Sequence, residues 1–374
     1  MVMMFDVLVI GGGITGCGIA LDAASRGLNT ILIEKNDFGS GTSSKSSKLI
    51  HGGLRYLKQF QFKTTYEASQ EKTLLKTLAP TLIEDIPFIL PYWSLKNRFL
   101  YSAGLWIYDL MAGLPTGLIH KRLSKDETFK VFPALRQDYK GSFKYFDART
   151  NDKELVFAVA NKAMEFGAIL KHRTQMTGFI RHNGRVVGVT TNDFSIIAHK
   201  VINATGVWCD EVRASEQPVV MPSKGIHLIV STERLGITTA AMLPTFDNRI
   251  FFLIPQNNGT TIIGTTDTKY DGDIDNPLAN LDDILYLLRC VNDMLPTTKL
   301  SIDDVIDTYA GLRPLIANSK TVFKSSRDHK IFEDSDGLIN IIGGKLTTYR
   351  KMAKDVVDRI TDKKSITNKI KLGG

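Results

Sequence analysis

The stretch VLVIGGGITGCGIALDAASRGLNTILIE, Val7 to Glu34, constrains this chain more than any other. An apolar run, Val7–Ile10, meets the glycines Gly11, Gly12, Gly13 and Gly16. An alanine-rich segment with helical spacing follows, and a second apolar run, Thr30–Ile33, ends in Glu34. This is the pattern of the first strand–helix–strand unit of a dinucleotide-binding fold. Gly11 permits a tight turn, Gly13 lets the backbone approach a pyrophosphate, and Gly16 lets the helix pack on the sheet. Amides at the helix start, with the positive end of its dipole, suit phosphate. Glu34 stands where a carboxylate accepts a hydrogen bond from a ribose hydroxyl and repels a 2′-phosphate. An ADP-containing cofactor other than NADP is expected.

A chain of 374 residues exceeds one simple domain and can bury a large core. Its apolar share, 43%, and charged share, 23%, are those of a globular protein. Three scattered cysteines, Cys17, Cys209 and Cys290, form no metal-ligand spacing and no disulfide framework. A reducing, cytoplasmic setting is expected, with no metal. The first strand begins too early for a signal peptide. No apolar window is long enough to span a bilayer. The net charge of +8 favours anionic substrates or anionic lipid. Nucleic acid is not expected, since no recognition motif accompanies the charge. The segment Phe88–Leu118 mixes Trp93, Phe99, Tyr101, Trp106 and Tyr108 with Lys96 and Arg98. It reads either as a membrane-interface element or as a core helix beneath a substrate domain.

Helices are expected over Glu67–Leu78 and Glu154–Phe166, and from Leu346 to about Ile360. Strands are expected at 168–172, 185–191, 195–199, 227–230, 250–255, 260–264 and 338–342. The fold class is α/β, a Rossmann-like domain with an inserted, largely antiparallel β domain. The nucleotide domain is expected to use residues 1–81, 146–217 and 305–374, and the substrate domain 82–145 and 218–304.

Three further segments carry chemistry. Gly343-Gly344 before Leu346–Arg350 is a second glycine-rich helix start, whose amides suit the N1–C2=O edge of a reduced flavin. The hydroxyl-rich loop Gly39–Tyr56 follows closely on Glu34 and can wrap a cofactor. Cations recur beside glycines at Arg55, His227, Arg313 and Lys345, which favours an anionic substrate. His227 suits a general base, with His51 the next choice.

Together these motifs closely resemble the FAD-dependent glycerol-3-phosphate dehydrogenases, in the glutathione-reductase-like superfamily branch shared with D-amino-acid and glycine oxidases. The matching stretches are IGGGITGCGIALDAASRGL, TSSKSSKLIHGGLRYL, NATGVW, KGIHLIV, IIGTTDT, YAGLRPL and GGKLTTYRK, in family order. The resemblance implies noncovalent FAD, oxidation of sn-glycerol 3-phosphate to dihydroxyacetone phosphate, and quinone as electron acceptor. Oxygen serves in an oxidase subgroup. An oxidase of amines or 2-hydroxy acids is the alternative from the same branch. The location implied is cytoplasmic, peripheral on the inner membrane's cytoplasmic face with contact to anionic lipid.

By position, the catalytic set is His227, Arg55, Arg313 and Lys345, with Arg327 and Tyr56 joining the cations in binding substrate. The FAD set begins with Gly11, Gly13, Ile14, Thr15, Gly16, Glu34 and Lys35. It continues through Thr42, Ser43, Ser44, Ser47, Lys48, Leu49 and His51. It is completed by Ala204, Thr205, Gly206 and Trp208, then Gly344, Lys345, Leu346 and Thr347. Family members usually continue into a C-terminal helical domain. The sequence stops at Gly374, so that domain is expected to be absent.

Overall fold

A computed structural model describes residues 2–57, 61–214, 217–317 and 328–373. Two sheets organise them. The first is built around the strand Val2–Ile10, which pairs in parallel with Thr30–Ile33 on one side and Ser195–Asn203 on the other. Ile169–Lys171 and Ile339–Gly343 extend the parallel array outward, and His329–Glu333 closes one edge antiparallel. A hairpin, Met176–His182 with Arg185–Thr191, pairs with the beginning of Ser195–Asn203. Parallel strands buried on both faces read as continuous apolar runs, and Val7–Ile10 and Thr30–Ile33 do so. The helices Ile14–Ser25, Asp152–Glu165 and Tyr349–Val357 cover one face and share its core with Val7, Val9 and Leu32.

The second sheet is antiparallel except where Ala240–Pro244 meets Ile83–Tyr92 in parallel. Its longest pairing joins Val220–Ser231 to Val305–Ile316. The helix Leu281–Met294 packs on one face, against Leu228, Val230 and Leu253. On the other face Leu105 and Tyr108 of the helix Leu95–Met111 join Phe88 and Tyr145.

The α/β class with an antiparallel second sheet is the architecture seen, but the boundaries read from the sequence need correction. Val305–Ile316 does not return to the nucleotide sheet. Backbone bonds hold it along Val220–Ser231, so the chain goes back only after it. Residue 146 is no boundary, because Gly141–Thr150 is one unbroken strand opposite Ile83–Tyr92. Leu49–Ile50, inside the expected nucleotide segment, also pairs with that strand.

Candidate active site

The carboxyl ends of the parallel strands open into a cavity of about 770 Å³, the place where ligands bind open α/β sheets. Ile10, Ile33, Ala204 and Ile342 bring those strand ends to its wall. The second sheet supplies Gly225, His227, Phe252, Thr265 and Arg313 to the same wall. Both units therefore form one site.

The glycine turn is built for close approach. A Cβ on Gly16 would come 1.8 Å from the Gly11 carbonyl oxygen, and one on Gly11 would come 2.8 Å from that of Ala204. Gly11 also holds φ at +107°, where other residues are strained. Glu34 spans the turn: one oxygen accepts from Gly12 N at 2.7 Å, the other from Asn36 N at 2.8 Å. Ser43 Oγ accepts from Ile14 N at 3.0 Å, tying the hydroxyl-rich loop to the helix start. Thr42 Oγ donates to the Leu312 carbonyl at 2.6 Å, linking that loop to the second sheet.

Of the expected cofactor residues, Gly11, Gly13, Ile14, Thr15, Glu34 and Lys35 line the cavity. So do Thr42, Ser43, Ser47, Leu49, His51, Ala204, Thr205, Gly206 and Trp208, and the run Gly344, Lys345, Leu346 and Thr347. Gly16, Ser44 and Lys48 stay off its wall. Gly16 is used for packing, Ser44 Oγ bonds back to the Gly41 carbonyl at 3.3 Å, and Lys48 pairs with Asp152 at 3.2 Å. The sequence reading missed Lys45, Gln175, Thr177, Arg181 and Thr265, all on the wall. The IIGTTDT motif contained Thr265 and was the available signal; Gln175 and Arg181 carried none.

His227 is 2% exposed. Its ring stacks on Tyr309 at 4.6 Å and 17°, and on the other edge a Cβ at Gly264 would come 2.3 Å from its Cδ2. Nε2 shares a hydrogen bond with Ser47 Oγ at 2.8 Å, while Nδ1 is buried without a hydrogen-bond partner. Burial first, then the charges of Arg313 and Lys48, pull the imidazole pKa down to about 3. The ring is therefore neutral at physiological pH. His51 is tied by its backbone to Thr347, whose Oγ accepts from His51 N at 3.2 Å. Arg313 and Lys345 reach the cavity. Arg55 and Tyr56 belong to the short helix Leu54–Leu57; their side chains, and all of Arg327, lie outside the described residues.

The turn that carries Gly11 and Gly13 and the turn that carries Gly343 and Gly344 line one cavity, which suits a dinucleotide. A family model described as FAD dependent oxidoreductase matches residues 6–350.

The chain belongs to the FAD-dependent oxidoreductase family.

Within that family it is 41% identical over 371 residues to a glycerol-3-phosphate dehydrogenase of Mycobacterium leprae, covering 95% of this chain and 62% of the relative. It is 37% identical over 373 residues to an aerobic glycerol-3-phosphate dehydrogenase of Bacillus subtilis, covering 96% and 67%. The solved glycerol-3-phosphate dehydrogenase of Bacillus halodurans, complexed with FAD, superposes with a TM-score of 0.82 at 36% identity, covering 99% of this chain and 68% of that one. The chain thus spans about two thirds of the length of these relatives.

The residues present fit FAD. A side chain at Gly11 or Gly16 would break the close backbone packing that forms the turn, Gly11 and Gly13 line the cavity beside it, and the glycine pair Gly343 and Gly344, each with φ at +78°, lines the same cavity.

Proposed function

We propose that this FAD-dependent oxidoreductase oxidises sn-glycerol 3-phosphate to dihydroxyacetone phosphate. The observation that carries the reading is that a buried neutral imidazole and a fixed guanidinium, His227 and Arg313, face the cavity into which the glycine cradle opens. The names of the relatives at 36–41% identity support the same substrate.

Bound FAD supplies the hydride acceptor. The chain's own residues do the rest. The Gly11–Gly16 turn and Glu34 hold the nucleotide end, and the Gly343–Thr347 turn holds the ring end. Arg313 and Lys345 bind the phosphate and place the carbinol carbon. The imidazole is neutral and faces the cavity, but a pKa held down to about 3 makes it a weak base at physiological pH, Nε2 is already engaged by Ser47 and Nδ1 is buried. In the tautomer that carries its hydrogen on Nδ1, Nε2 accepts from Ser47, and a hydroxyl proton reaches it only by way of Ser47 Oγ or after Ser47 rotates aside. Gly264 and Tyr309 keep the ring from turning to meet the substrate directly.

The electrons pass on to a quinone at a membrane surface, in our reading, on the cytoplasmic face. No helix among the described residues is long and apolar enough to cross a membrane. What supports surface contact is the helix Leu95–Met111, which leaves Leu95, Phe99, Leu100, Trp106 and Leu110 exposed beside Lys96 and Arg98.

Anaerobic titration of the yellow holoprotein tests the substrate. Glycerol 3-phosphate is expected to bleach the flavin, and lactate and glycine to leave it oxidised. Bleaching by lactate or glycine alone overturns the reading in favour of a carboxylate substrate.

A further inference from the structure

The segment Thr265-Thr266-Asp267 joins the strand Thr260–Gly264 to the short strand Thr268–Lys269 of the second sheet, and the chemistry above gives these three residues no task. It lies against Arg313. That residue sits on Val305–Ile316, opposite Ser223 of Val220–Ser231. Its guanidinium passes over Gly225, where a Cβ would come 2.4 Å from Nη2. The absence of a side chain there opens the path by which Arg313 reaches the cavity.

Three acceptors of the segment meet the guanidinium. Nη1 donates to the Thr266 carbonyl at 3.2 Å and to Asp267 Oδ1 at 3.4 Å, and Nη2 donates to Thr265 Oγ at 3.1 Å. The segment is itself held in place, with Thr265 Oγ donating to the Thr266 carbonyl at 3.2 Å. Ser223 Oγ donates to Asp267 Oδ1 at 2.5 Å, and Ile226 N donates to Thr266 Oγ at 3.0 Å. Side-chain exposure is 22% for Arg313 and 14% for Asp267, so the pair is screened by little water. A guanidinium recognises an oxyanion through a planar fork, and the fork is useful only when its plane is set. An arginine ordered in advance loses less freedom when the ligand arrives.

We propose that Thr265 and Asp267 are positioning residues that set the plane of Arg313 toward the anionic end of the ligand. This rests on the reading above, in which Arg313 receives a phosphate. The two residues act through Arg313, so their effects vanish when it is removed.

The test is a double-mutant cycle on FAD-loaded protein, with Asp267→Asn, Thr265→Val, Arg313→Ala and the pair Arg313→Ala/Asp267→Asn. Isothermal titration with inorganic phosphate gives affinity, and stopped-flow flavin reduction by glycerol 3-phosphate separates KM from kcat. Each of the first two variants is expected to weaken phosphate binding and raise KM by about five- to twentyfold, the loss falling on KM rather than kcat. The paired variant is expected to bind phosphate no worse than Arg313→Ala alone. Additive losses in the pair overturn the proposal, because Asp267 then acts independently of Arg313. Parental phosphate affinity in both Asp267→Asn and Thr265→Val also overturns it. Should Asp267→Asn fail to fold, Thr265→Val, which removes one hydroxyl and no charge, carries the test with its own pairing to Arg313→Ala. A wrong substrate shows up separately, as parent protein that binds phosphate yet is not bleached by glycerol 3-phosphate. The cycle on phosphate still decides the positioning role.

Discussion

At the scale of the residue, His227 joins the site's chemistry to the protein's stability. The unfolded imidazole titrates near ~6.5, whereas burial and the nearby Arg313 and Lys48 hold the folded one at about 3. Above the unfolded pKa both states are neutral, and His227 contributes nothing to the pH dependence. Between that value and about 3 the unfolded chain binds a proton that the folded chain refuses. Stability therefore falls as pH falls through this window, with a limiting slope of ~1.4 kcal/mol per pH unit. Below the folded pKa the slope disappears. In His227→Gln this contribution is absent. Denaturant titrations of parent and variant at steps from pH 7 to pH 4 should show their stability difference shrinking at about that slope. A difference independent of pH would mean that the folded ring accepts a proton as readily as the unfolded one. The sequence could name His227 by its motif but not its state, since burial, the Tyr309 stack and the Ser47 bond come from residues far away in the chain. The Gly16–Gly11 approach and the Glu34–Gly12 bond were legible because they lie within one strand–helix–strand unit, whereas the approach of Gly11 to Ala204 was not. The pairing of Lys48 with Asp152 was not legible, because that partner is distant in sequence.

At the scale of the element, the helix Leu95–Met111 shows what periodicity leaves open. Its segment fitted both a core helix and a membrane-facing one. A core helix buries a broad stripe, but this one buries only Leu105, Tyr108 and Asp109. Phe99 and Leu110 are each 65% exposed. Trp93, an aromatic of the same segment, instead packs on the core of the second sheet and donates to Asp138 at 2.9 Å, so it is a poor reporter of this face. If the helix meets a lipid surface, Phe99→Ser with Leu110→Ser should lower the partition onto anionic vesicles, read by flotation, by about a hundredfold or more, at ~1.5–3 kcal/mol for each large apolar side chain withdrawn from the bilayer. FAD content should stay parental. Flotation equal to the parent's would remove this helix from the contact. Strands such as Arg185–Thr191, Ile250–Pro255 and Thr260–Gly264 were legible from apolar and β-branched runs. The sheet to which Val305–Ile316 belongs was not, because a run of strand-forming residues carries no record of its partner.

At the scale of the whole molecule, the cavity is shared, so cofactor retention should depend on contacts between the two units. One such contact is polar and lies at the nucleotide end. Asp275, in the segment after the second sheet's last short strand, accepts from Lys35 Nζ at 2.5 Å and from Trp208 Nε1 at 2.8 Å. Lys35 also rests 4.6 Å from the centroid of the Trp208 ring. Lys35 follows Glu34, and Trp208 ends the turn after Asn203; both line the cavity. One carboxylate thus ties the two strand-end loops of the nucleotide unit to the other unit. Lys35 is 33% exposed and Asp275 53%, so water and salt weaken the ion pair, while the tryptophan bond adds a charge-assisted hydrogen bond. Removing the carboxylate should loosen the loops without touching the glycine turn. Asp275→Ala is expected to release FAD about three- to tenfold faster than the parent, measured as flavin fluorescence regained on dilution. The ionic part gives a second signature. Between low salt and roughly physiological ionic strength the parent's release should quicken, whereas the variant's should respond less, because the screened pair is gone. Equal release rates with equal salt dependence would mean that the contact plays no part in retention. FAD would then be held by the nucleotide unit's own turns, and the second sheet would serve the substrate alone.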